Sequence, residues 1–451
     1  MPYIYIKKTF VIFLLSILCL IPFNIVSAEQ KEEILAEKKL NFREILEFTF
    51  NNNDNLNAER EKTKAIQTLK FKTLGKNALP NIGIDLNYGY TDFKENMGND
   101  TMKFIIDTEG ELMNNSIYLN QPIFKSGRTL TQMKAVKNQI LIQQNKLFQV
   151  EQETFYNTIY ALVNLLQNKE ILELSIQNEE SLKNNYKYVK ARKEVGRTTI
   201  ADLSLAEARY SSAKSDTINA KTNYLTAKSN FFKITKVDPE NIDVKYDDIF
   251  QESLNYNIDY NSVLENALNK NPQYQMAKYN YEMNKNNLQF TKTNFLPELF
   301  LNAQYGKQKT SDVIVQTAGS VSLNLKVPLF QSGVEYASHK EAGHLLNEAK
   351  FTLNDVKENL STQTITTYDE FLSSKSLIVS SKAYRDSAKI AYESTLAEEK
   401  VGRAMVVDVL NRRREYYDTE VSYLKSKTNM IMYYYTLKML MGELNSNDLF
   451  I

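Results

Sequence analysis

The chain has 451 residues, 43% hydrophobic and 24% charged, which points to a folded protein and not a disordered one. Lys and Arg number 55 against 54 Asp and Glu, and this net charge of +1 gives no support for a nucleic-acid surface. The one cysteine, Cys19, lies in an N-terminal apolar run, so the rest of the chain offers no thiol for a nucleophile, a disulfide or a metal site.

The N-terminus reads as an export signal over residues 1–28. Lys7 and Lys8 form a basic start, Thr9 to Phe23 is nearly all apolar, and Val26-Ser27-Ala28 is a small-residue cleavage site before Glu29. An uncleaved membrane anchor is the alternative. Leu18 is too large for the small residue that lipoprotein processing wants before Cys19. Beyond Ala28 no window of about 18 apolar residues recurs, so the exported chain is either soluble or enters a membrane as strands.

Residues 29–235 form a first repeat. After a charged arm, the apolar spacing predicts a helix over 41–76, interrupted near Asn51-Asn52-Asn53 and stopped before Pro80. Ile82 to Tyr90 then alternates, apolar at even numbers and small or polar at odd ones, which predicts a strand over 81–93. Residues 94–112 read as a polar loop, and a return strand follows over 114–121. About nine residues of alternation is what a tilted strand needs to cross a bilayer, although a strand of a soluble sandwich looks the same in isolation.

Pro122-Ile123-Phe124-Lys125-Ser126-Gly127 closes the hairpin, with Pro122 and Gly127 marking the strand-to-helix junction. No Gly or Pro occurs from there to Val195, so a helix is predicted over 128–194. Val195-Gly196-Arg197 turns the chain, and a second helix runs over 201–235. Residues 236–258 are acidic and read as a linker or small insert, a belt around the helices.

Residues 259–451 repeat this layout: a helix over 260–293, strands over 297–306 and 318–327, a junction at Pro328 and Gly333, and helices over 334–400 and 406–441. Gly127 and Gly333 are 206 residues apart, and so are the turn glycines Gly196 and Gly402. Ala206, Ala213, Ala220 and Ala227 recur every seven residues, the period of supercoiled helices, and small residues permit close approach. At about 1.5 Å per residue the long helices reach roughly 100 Å, matched by two shorter ones stacked end to end, as in a tube wall of even height.

Four strands cannot close a barrel, and open sheet edges do not survive in lipid. Several chains must share one, and three would supply twelve strands around a wet interior. The expected fold is therefore a mixed α and β membrane protein.

In this order and duplicated, the motifs are similar to those of TolC-type outer-membrane efflux proteins: helix, Asn271-Pro272 break, hairpin, Pro-x-Phe-x-Ser-Gly, long helix, and a Val-Gly tip with Asp six residues after the Gly. The resemblance spans the chain beyond residue 28. It implies a homotrimer: a twelve-stranded barrel in outer-membrane lipid, continued by a helical coiled-coil barrel into the periplasm. It also implies passive export, driven by an inner-membrane pump of RND or ABC type through a periplasmic adaptor. It assigns Val195, Gly196, Arg197, Val401, Gly402 and Arg403 to adaptor docking, and Asp202 and Asp408 to the pore constriction. An Asp one turn into a helix also has a simpler role, facing the helix dipole. Where the family often carries a second acid after the later Asp, this chain has Asn411.

Catalysis has little support. His339 and His344, five apart, do not share a helix face as zinc ligands four apart would, and no G-x-S-x-G or phosphate-binding glycine loop is present. No cofactor or metal is implied. The alternatives to an efflux channel are the duct of a type I protein secretion system, which would look alike, and an exported coiled-coil structural protein, which would have no use for apolar strand faces.

Overall fold

The computed structural model describes residues 39–99, 102–310 and 314–446. The expected signal at 1–28 and most of the charged arm lie outside them. The elements run α1 (Phe42–Asn52), α2 (Asp54–Gln67), α3 (Leu69–Ala78), β1 (Asn81–Asn99), β2 (Met102–Phe124), α4 (Arg128–Glu194) and α5 (Ile200–Thr235), then α6 (Tyr246–Asn255). The second repeat gives α7 (Tyr260–Lys270), α8 (Pro272–Thr293), β3 (Glu298–Thr310), β4 (Ile314–Lys326), α9 (Val334–Lys400) and α10 (Val406–Leu440).

The predicted helix 41–76 is three helices. Asn53 leaves helical geometry and its side chain accepts from the Leu56 N–H at 3.0 Å, so it ends α1 and caps α2. Thr68 stays in the right-handed region and only tightens the turn between α2 and α3. The predicted helix 260–293 likewise divides at Asn271, which accepts from Gln273 and Tyr274 N–H while Pro272 occupies the first helical position.

The strands are longer than the alternation suggests. Residues 94–99 and 102–112, read as a loop, pair in unbroken register from Lys94–Asp107 to Asn99–Met102 and back to Leu112. Most of the loop expected between β3 and β4 is also ladder, ending at Thr310–Ile314. The reason is that backbone bonds hold an antiparallel pair, so a hairpin extends past the point where the apolar alternation of the sequence stops.

The four strands form one antiparallel sheet in the order β1-β2-β3-β4, so β1 and β4 have open edges. Its apolar face is bare: Ile82, Ile84, Leu86, Tyr88 and Tyr90 are 66–75% exposed, and Val321, Leu323 and Leu325 at least 66%. The polar face is crowded. Tyr118 lies over Gly83, where a Cβ would approach its ring within 2.4 Å, and Ser116 packs on Gly306.

At both junctions a Ser-Gly pair takes left-handed geometry, Ser126 and Gly127 at φ 46° and 79°, Ser332 and Gly333 at φ 54° and 78°. Pro122 sits at the register shift between β2 and β3, where its missing N–H costs nothing. Arg128 then ties the repeats together, pairing with Glu298 at 2.5 Å and donating to Asn294.

The helical part is held at mid-height by one large core, in which Ile45, Phe155, Leu162, Phe231, Phe371, Met430 and Tyr435 are at most 1% exposed. The heptad alanines Ala206, Ala213, Ala220 and Ala227 are all buried where α5 meets α4. Residues 236–258 are not a plain linker. Tyr246, Ile249 and Phe250 make an i, i+3, i+4 stripe that buries α6 against α10, while Asp247 reaches Lys427 at 2.6 Å. Lys427 itself is nearly buried among the Tyr246, Phe250 and Tyr423 rings.

Candidate functional site at the hairpin tips

The two long coils, α4–α5 and α9–α10, end in the same turn. Gly196 and Gly402 take φ 73° and 78°, a region that resists a Cβ, and nothing stands within 4 Å of where one would be built. The following residue closes each turn, Arg197 N–H donating to the Arg192 carbonyl and Arg403 N–H to the Glu398 carbonyl, both at 2.8 Å. Val195, Gly196, Arg197, Val401, Gly402 and Arg403 are all exposed.

The fold brings the two tips side by side. Arg192, on the last turn of α4, pairs with Glu399 on the last turn of α9, and that carboxylate is only 6% exposed. A cleft of about 270 Å³ above the pair is lined by Leu182, Asn185, Tyr188, Tyr392, Leu396 and Arg413, among others. At the open end Val195 and Val401 are 68% and 69% exposed, with Ile200 and Met405 similar. Val195 and Val401 are marked by the family resemblance, whereas Ile200 and Met405 are not, because helix periodicity stops at a turn.

Asp202 is the third residue of α5 and completes a capping box. Its Oδ2 accepts from Thr199 Oγ1 (2.7 Å), Thr198 Oγ1 (2.9 Å) and the Thr199 N–H (3.1 Å), while its own N–H donates to Thr199. Those hydrogen bonds, the Thr199 hydroxyl first, hold its carboxyl below the usual carboxylate range. Asp408 repeats the arrangement more thinly, accepting from the Met405 N–H at 3.1 Å. Asn411 is also used: its Oδ1 accepts from Arg209 at 3.1 Å, bridging the start of α10 to α5.

The other sequence-marked residues stay apart from the tips. Pro122, Gly127, Pro328 and Gly333 lie at the opposite end of the long helices, at the strand junctions. His339 Nδ1 shares a hydrogen bond with the Thr291 hydroxyl at 2.9 Å. Among the described residues no cluster of metal-ligating side chains occurs, and no helix is long and apolar enough to cross a membrane.

An open-edged sheet with an apolar outer face, set on a wall of long coils, defines one segment of a transmembrane duct. The chain belongs to the outer membrane efflux protein family, whose model matches residues 52–235 and 263–443. It is 20% identical to the outer membrane efflux protein BepC of Brucella suis, over 74% of this chain and 73% of that protein. It is 22% identical to the alkaline protease secretion protein AprF of Pseudomonas aeruginosa, over 84% of this chain and 80% of that one. The fold superposes on the outer membrane protein VceC of Vibrio cholerae with a TM-score of 0.75 at 13% identity, covering 88% and 95% of the two chains. The chain is thus an outer-membrane exit duct of the TolC type, in a family of channels and not of enzymes.

Proposed function

We propose that three copies of the chain join their sheets edge to edge into a twelve-stranded barrel and their coils into a periplasmic tube. The single observation that carries this is the four-stranded sheet, bare on its apolar face and open at both edges. Residues 1–28 act as the cleaved export signal. The tube is a passive conduit, loaded by an inner-membrane pump of RND or ABC type through a periplasmic adaptor. The adaptor docks on the two tips, where Val195 and Val401 offer apolar contact and Arg197 and Arg403 offer charge. Likeness to AprF, a protease secretion protein, keeps protein export by a type I system as the second reading.

Asp202 and Asp408 would form rings of like charge at the mouth under threefold symmetry, favouring cations. The hydrogen bonds on Asp202 are compatible with its part, since they extend its charged state further into acid solution than an ordinary carboxyl's. In planar bilayers the Asp202→Asn, Asp408→Asn double variant is expected to lose most of the cation preference of the native channel. Unchanged selectivity would leave Asp202 as a helix cap only.

A further inference from the structure

We propose that neighbouring copies are joined just above the mouth by an ion pair between Lys193 of one copy and Glu398 of the next, with Tyr186 of the first copy against Ser387 of the second. This rests on the trimeric reading above.

The two repeats are interchangeable near the tips. Val195 and Val401 share backbone angles, φ −96° and ψ 12° against φ −97° and ψ 6°. Tyr186 stacks on Tyr210 with centroids 6.1 Å apart and planes at 14°, and Tyr392 on Tyr416 at 6.1 Å and 17°. Three copies thus supply six near-equivalent hairpins, and the seams between them alternate, one within a chain and the next between chains. Stepping one hairpin around the ring adds 206 to a first-repeat residue number, and takes 206 from a second-repeat residue while passing to the next copy.

The seam inside the chain is visible. Arg192 pairs with Glu399, and the Ser181 hydroxyl meets the Tyr392 hydroxyl at 3.4 Å. One step turns Arg192 into Glu398 and Glu399 into Lys193, so both charges invert together and the pair stays complementary. Ser181 becomes Ser387 and Tyr392 becomes Tyr186, the same two residue types. The Arg413-to-Asn178 bond of 2.9 Å becomes Glu207 facing Tyr384, a carboxylate acceptor and a phenol donor. Among the described residues neither Lys193 nor Glu398 has an ion-pair partner within its own chain. The seams also differ in strength. Inside the chain a guanidinium meets the Glu399 carboxylate, whereas between copies a lysine, which lacks the planar fork of donors, meets Glu398.

The full-length chain, with Cys19→Ser, is expressed in cells carrying Lys193→Cys and Glu398→Cys together, and envelopes are treated with a short bismaleimide. The expected result is covalent dimer and trimer on a denaturing gel, whereas Arg192→Cys with Glu399→Cys links within one chain and migrates as monomer. A Lys193→Glu chain is expected to lower the heat resistance of the trimer, more at low salt than at high, and adding Glu398→Lys to restore it. Oligomer bands absent from material that still has trimer mass in mild detergent would overturn the seam and leave the trimer standing. Monomer mass for the native chain would overturn the trimer itself.

Discussion

Arginine at Leu86 is expected to abolish accumulation of the assembled protein in the outer membrane, while arginine at the neighbouring Asn87 leaves it intact. Leu86 is 75% exposed on the apolar face of β1, in the middle of the alternating run, and Asn87 points to the polar face. A cationic side chain against the lipid mid-plane costs roughly 2–4 kcal/mol per site, and a trimer carries three such sites. Folded trimer in outer-membrane fractions, read by its resistance to heat in detergent, is the measurement. Equal loss for both variants would mean that the faces are not distinguished by lipid.

Phe155→Ala is expected to cost about 3–5 kcal/mol, the range for truncating a buried aromatic. Phe155 is 1% exposed and stacks on Phe50 at 5.2 Å with planes 4° apart, fastening α1 to the middle of α4. The loss falls at mid-height, so it should lower the thermal midpoint of the helical part without changing single-channel selectivity. A thermal midpoint within a degree of the native one would show that the central cluster does not hold the wall together.

Much of this architecture was legible because its signals are local. The absence of Gly and Pro between Gly127 and Gly196 delimits α4, and the alanines at a period of seven mark the close face of α5. The apolar alternation of Ile82 to Tyr90 marks the outer face of the sheet. What escaped is non-local or masked by composition. Arg192 and Glu399 meet across 207 residues, which no window on the sequence spans. The acidic content of 236–258 hid the Tyr246, Ile249, Phe250 stripe that makes it a docked helix. The strand extensions escaped because ladder hydrogen bonds need no apolar side chains. At the tips the sequence marked Asp202, but its first duty, closing a capping box with Thr199, appears only in the hydrogen bonds.

A coiled-coil structural protein would share the heptads but not the bare sheet, whose apolar side chains need lipid outside and further strands at both edges. The mass of the purified protein tests this most directly. Extraction is expected to require detergent, and light scattering corrected for detergent should give three times the mass of the chain after signal removal. A stable single chain in plain buffer, with the sheet folded on itself, would contradict it.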